Sequence, residues 1–133
     1  MVFEKHGVYS LKVIGQVLIV DATGPFNDEL VVCYNNALEA CIQQLESSCW
    51  GQIVTLHEQS LFTPDAERTL NSSLKRRKER GLRASAVVCK SPYSLVQSQI
   101  DRIYSSADVI HDFCKGEEEA LLWLYSCQEK KSA

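Results

Sequence analysis

Histidine, cysteine, carboxylate and basic side chains are the ones in this chain whose types and spacing could do chemistry. His57, His111, Asp112 and several serines hold the residue types of a nucleophilic triad. Such a triad needs its serine on a sharp strand-to-helix turn, and no Gly-x-Ser-x-Gly stretch supplies one. His57 falls in a loop, where a histidine is ordinarily a solvated group. Glu117, Glu118 and Glu119 set three carboxylates in succession. They open a helix-like run, and the positive end of the helix dipole accounts for them there. Nothing around them predicts the burial that would tune a pKa for acid–base work. The glycine patterns that cradle phosphates are absent. No enzyme activity and no catalytic residue are expected.

Six cysteines stand at positions 33, 41, 49, 89, 114 and 127. None forms a Cys-x-x-Cys pair, and no histidine sits at zinc-ligand spacing. Most fall on apolar faces, where a free cysteine behaves as a small hydrophobe. Buried, unpaired thiols in a reducing compartment are the expectation, with no metal and no cofactor. Lys75-Arg76-Arg77-Lys78, with Arg80 and Arg83, is the basic run. No aromatics interleave it, as stacking on single strands requires. It lies at the end of a helical pattern, just before Gly81, where cations offset the dipole. Nucleic acid is therefore not an expected partner; an acidic protein or an anionic lipid surface suits the charge better.

The elements that must position these groups come from the hydrophobic period. With 133 residues, 45% of them apolar, and a formal net charge of -3, the chain fits one domain with its own core. No apolar run approaches the length of a membrane span, and no leader is visible at the start, so a cytoplasmic protein is expected. Disorder is expected only at the ends, Met1–His6 and Gln128–Ala133.

Two strand patterns come first, Val8–Ile14 and Gln16–Ala22. Tyr9, Leu11 and Val13 alternate with polar residues, as in a half-buried edge strand. Val17–Val20 is continuously apolar, as in a strand covered on both faces. A helix follows from Asn27 or Asp28 to Ser47, with Leu30, Tyr34, Ala37, Leu38, Cys41, Ile42 and Leu45 at helical spacing. Strand Ile53–Leu56 is next, led in by Trp50-Gly51. The second helix has a cap at Thr63 and proline at its first position. Its apolar stripe is thin (Ala66, Leu70 and Leu74), so much of it should face solvent. Strand Leu82–Cys89 follows. A third helix opens at Ser91-Pro92, carries Val96, Ile100, Ile103 and Tyr104, and ends at Ser105-Ser106. Strand Val109–Phe113 and a last helix anchored by Leu121, Trp123 and Leu124 complete the chain. Alternating strands and helices predict an α/β fold with a mostly parallel five-stranded sheet, an antiparallel first edge strand and four helices. Right-handed crossovers predict strand order in chain order.

In such sheets ligands collect at the strand C-terminal ends, where helix N-termini also point. The loops there supply Phe26, His57, Ser60, Phe62, Thr63 and Ser91. Asp65 adds a carboxylate in the first turn of the second helix. Val96 and Ile100 add the apolar side of the third helix. This mixture suits partner docking or an amphiphilic ligand better than a charged metabolite.

The order strand-strand-helix, then strand-helix repeats, resembles that of the SpoIIAA-like or STAS domains, the anti-sigma-factor antagonist family. The stand-alone bacterial SpoIIAA-like proteins are the nearest in pattern. The landmarks are Trp50-Gly51, Thr63-Pro64-Asp65-Ala66, Gly81-Leu82-Arg83 and Glu118 to Leu124. The resemblance spans roughly Val8 to Leu124. It implies a regulatory protein–protein interaction module. The family's antagonists carry Asp-Ser-Ser/Thr-Gly at the start of the second helix, and its serine is phosphorylated. Here Pro64 stands at that serine and the glycine is missing, so this switch does not carry over. The fold is also similar to that of CRAL-TRIO lipid-binding domains, an analogy of fold alone. Two functions are thus expected in order: a non-enzymatic interaction module acting through the second helix and the loop before it, and a site for a hydrophobic or amphiphilic small molecule, with membrane-surface contact. A protein partner, a lipid-like ligand and a homodimer are the partners considered.

Overall fold

A computed structural model describes residues 8–58, 60–90 and 94–132. Its elements run β1 (Val8–Ile14), β2 (Val17–Thr23), α1 (Asp28–Leu45), β3 (Trp50–Leu56), α2 (Pro64–Glu79), β4 (Leu82–Cys89), α3 (Ser94–Ser106), β5 (Ile110–Phe113) and α4 (Glu117–Ser132). The five strands form one sheet in the order β1-β2-β3-β4-β5. β1 and β2 pair antiparallel, and the remaining neighbours pair parallel. The α/β fold with an antiparallel edge strand and four helices is therefore as the alternation predicts. Gly15 makes the β1–β2 turn at φ 59°, a conformation that favours glycine.

The period of two along each strand sorts side chains onto two faces. Leu18, Val20 and Ala22 of β2, Val54 and Leu56 of β3 and Val87 of β4 join the larger core. α1, α2 and α3 cover that face with Leu38, Leu45, Leu70, Leu74, Ile100 and Ile103. Ile53, Ala84, Ala86 and Val88 point the other way, to Ala120 and Leu124 of α4. α4 lies over β4 and, less extensively, β3. Its narrow footprint leaves Ile19 of β2 only partly covered, short of the two-sided burial that its apolar run predicts.

The helix starts follow their caps. Asn27, rather than Asp28, caps α1, accepting from Leu30 N at 2.8 Å. Thr63 caps α2 through Ala66 N, with Pro64 next. In α1, Val31 is buried and Ala37 is exposed, so the apolar stripe is rotated from the predicted one. β3 begins at Trp50, three residues earlier than its apolar run. Trp50 is fully buried because its indole N–H donates to the Arg80 carbonyl at 2.9 Å. In α4, Ala120 and Leu124 are the buried anchors, while Leu121 and Trp123 are only partly covered. Ser91-Pro92, the expected start of α3, and the end segment 1–6 lie outside the described residues, as does Gln59.

Candidate functional site

Two loops meet at the C-terminal ends of β2 and β3. Phe26 N donates to Leu61 O at 2.8 Å, and Thr63 N donates to Phe26 O at 3.0 Å. This short parallel bridge sets the Phe26 and Phe62 rings against each other, 4.8 Å apart between centroids and tilted by 37°. Neither ring is offered to solvent, since both are buried. They turn inward onto a small cavity between the sheet and α1, α2 and α3. Its thirteen lining residues include Val20, Leu30, Leu56, Leu70, Ile100 and the rings of Tyr34 and Tyr104. Every lining side chain is aliphatic or aromatic, and only tyrosine hydroxyls interrupt the apolar wall. The free volume is about 40 Å³.

A buried polar cluster adjoins this wall. Gln52 and Ser85 are register partners on β3 and β4, on the same face as Val54 and Val87. Gln52 Nε2 donates to Ser85 Oγ at 3.1 Å and to Tyr104 Oη at 3.2 Å. Ser85 Oγ donates to Tyr104 Oη at 3.1 Å. Arg77 of α2 completes the cluster. Its guanidinium donates to Gln52 Oε1 at 2.9 Å, to Ser73 Oγ at 3.0 and 3.3 Å, and to Tyr34 Oη at 3.4 Å. The guanidinium carbon also lies 5.5 Å from the Tyr34 ring centre. Arg77 is 1% exposed, whereas its neighbours Lys75, Arg76 and Lys78 are exposed. The basic run is thus not one solvated end of a helix: Arg77 alone turns into the core. Burial pushes the Tyr104 hydroxyl above its ordinary pKa, so it remains a proton donor at neutral pH.

The sequence-predicted site residues separate by depth. Phe26, Phe62 and Ile100 share the cavity wall. Val96 is buried on α3 without lining the cavity. Ser60 is fully buried; it donates to His57 O at 2.6 Å and accepts from Gly24 N at 3.3 Å, so it fastens the loop. Thr63 and Asp65 are exposed at the start of α2, where Asp65 pairs with Arg68. His57 pairs instead with Asp21, Nε2 to Oδ1 at 2.9 Å. Ser91 lies outside the described residues. Among the described residues no triad assembles: His111 pairs with Asp101 at 2.7 Å, and Asp112 accepts from its own neighbour's N–H. Among the described residues no group of three or more His, Cys, Asp or Glu is placed to hold a metal ion.

Hydropathy hid the polar cluster, but parity exposes it. Gln52 follows Trp50 and precedes Val54 and Leu56 on alternate positions, and Ser85 precedes Val87 in the same way. On α2, Ser73 and Arg77 continue the Ala66, Leu70, Leu74 stripe at helical spacing. No helix among the described residues is long and apolar enough to cross a membrane. Compared with protein-family models and with curated proteins, the chain matches none.

Proposed function

We propose that this protein is a non-enzymatic binding module that holds a hydrophobic or amphiphilic small molecule between its sheet and the α1–α3 layer. The observation that supports this reading is the cavity itself: Phe26, Phe62 and Ile100 converge on a wall with no charged side chain. Protein interiors leave few voids larger than a water molecule between packed layers. Its free volume of about 40 Å³ is well below the roughly 300 Å³ of a ligand pocket, so a guest is held only once a covering helix moves outward. Native mass spectrometry of the freshly purified protein tests the reading. A co-purifying apolar or amphiphilic molecule, lost on unfolding, is the expected result. Mass spectra of the bare chain, with no thermal stabilisation across a panel of such molecules, would sink it.

A second reading is the regulatory STAS-like interaction module. The exposed Thr63-Pro64-Asp65 start of α2 favours it, because the partner-docking element of that family is the one presented here to solvent. Pro64 has no hydroxyl, so kinases that modify that family's serine are expected to leave this helix start unmodified. Phosphate mapped in cells to Thr63 would overturn that statement.

A further inference from the structure

We propose that the molecule admitted to this cavity carries a carboxylate head on an apolar chain, and that Tyr34, Tyr104 and Arg77 together receive the head. This rests on the cavity reading above and adds the chemical class of the ligand.

The starting point is a charge without a counter-charge. A guanidinium keeps its charge at physiological pH and presents five N–H donors in a fixed fork. Arg68, Arg80 and Arg102 each pair with a carboxylate. Arg77, the buried one, has only neutral acceptors among the described residues: Gln52, Ser73 and Tyr34. Among the described residues no ion pair includes it. The C-terminal end of α2 and the Tyr34 ring face offset part of its charge. Neither supplies the anion that a desolvated cation ordinarily requires.

The proton count points the same way. Gln52 spends its N–H donors on Ser85 and Tyr104, and Ser85 spends its hydroxyl on Tyr104. Gln52 Oε1 accepts from Arg77. Tyr104 Oη and Tyr34 Oη each accept within the cluster, and each hydroxyl keeps a rotatable hydrogen that can turn to an acceptor in the cavity. Both tyrosines belong to the cavity wall. A donor-rich, singly positive cluster thus borders an apolar space through two hydroxyls. One carboxylate matches it: two oxygens for two hydroxyls, and one negative charge for the guanidinium behind them. A phosphate would bring more charge than the single cation offsets. The chain of the ligand takes the wall formed by Val20, Phe26, Leu56, Phe62 and Leu70.

The test is titration of the full-length protein with decanoate, decanol and acetate, each below its aggregation limit, followed by calorimetry and by tyrosine chemical shifts. Decanoate is expected to bind about tenfold or more tighter than decanol, with acetate not binding, because only decanoate meets both the charged and the apolar parts. Arg77→Met is expected to bring the decanoate:decanol ratio down to about one. Tyr34→Phe, at a partly exposed position, is expected to lower it severalfold while circular dichroism shows an intact fold. Where Arg77→Met does not fold, Tyr34→Phe decides. Equal binding of decanoate and decanol overturns the head assignment and leaves the cavity reading standing. Binding of acetate as tight as decanoate overturns the tail. Absence of binding by all three overturns the head assignment and the cavity reading together. A decanoate preference unchanged in the folded variants places the head elsewhere and overturns the assignment of these residues.

Discussion

Cys33 and Cys49 are exposed, Cys114 is buried, and Cys41, Cys89 and Cys127 lie between. The expectation that most thiols are core hydrophobes thus fails at two positions, because Cys33 lies on the solvent side of α1 and Cys49 in the connection before β3. Burial raises the pKa of Cys41, Cys89 and Cys114, which lowers their thiolate fraction at neutral pH. A thiol reagent at neutral pH is therefore expected to titrate two cysteines quickly and the others slowly, with all six reacting after unfolding. Peptide mapping that finds Cys41, Cys89 or Cys114 labelled as fast as Cys33 and Cys49 would contradict this depth order. Residue types alone showed which side chains were apolar but not which polar ones were inside. Phe26, Phe62 and Ile100 were readable as site residues from loop position and helical stripe. Arg77 was not, because charge argues for solvent unless the spacing along α2 is given precedence over hydropathy.

Element existence and order follow closely from the pattern, since each strand has its own apolar period and each of α1 and α2 has a side-chain cap. The joints between elements depend on contacts far apart in sequence and were less legible. Gly81, between α2 and β4, is the clearest case. Its φ is 109°, and a Cβ there would lie 2.8 Å from the Ser48 carbonyl oxygen and 3.0 Å from the Trp50 indole nitrogen. Gly15 also has positive φ but has open space where its Cβ would be. Gly81→Ala is therefore expected to cost about 3 kcal/mol or more, and Gly15→Ala about 1 kcal/mol, in urea unfolding. Equal costs would show that backbone strain, not the close approach, governs both. A second joint ties α1 to the end of α2: Arg80 bonds both Glu39 oxygens, at 2.8 and 2.9 Å, and Glu46 at 2.7 Å. Hydrogen bonds from Arg80 hold the Glu39 carboxyl below its usual value of 4.5. A carboxylate with a depressed folded pKa stabilises above the unfolded pKa, and that stability is lost as pH falls through the folded one. Melting temperature is thus expected to drop on acidification from pH 4.5 downward, and to drop less steeply in Glu39→Gln. Parallel acid profiles for the two proteins would remove this pair from the acid transition.

At the scale of the whole molecule, the proposed guest fits only if one of the three helices over the cavity yields. α1 and α2 are each fixed by a cap and by the Glu39–Arg80 joint. α3 is held by its buried side, Val96, Ile100, Ile103 and Tyr104, by Asn71 and His111 on its neighbours, and by a side-chain clamp on Phe62. Gln99 accepts from Phe62 N at 3.0 Å and donates to Phe62 O at 3.0 Å, with Arg102 pairing to Glu67 beside it at 2.7 Å. Burial at about 1.5–3 kcal/mol per large aliphatic keeps α3 docked at rest. The clamp therefore sets how often α3 lifts from Phe62, not whether the fold persists. Gln99→Ala removes both bonds and strands two polar groups of the Phe62 backbone. Hydrogen exchange is the measurement, because it reports local opening separately from global unfolding. In the unmodified protein, amides 96–104 are expected to exchange faster than those of α1. In Gln99→Ala, exchange in 96–104 should rise severalfold, about 1 kcal/mol of lost protection, while α1 is unchanged. A guest in the cavity should reverse that rise, since it contacts Ile100 and Tyr104 from within. If exchange rises equally in α1 and α3, the clamp serves global stability, and the route into the cavity lies under another helix.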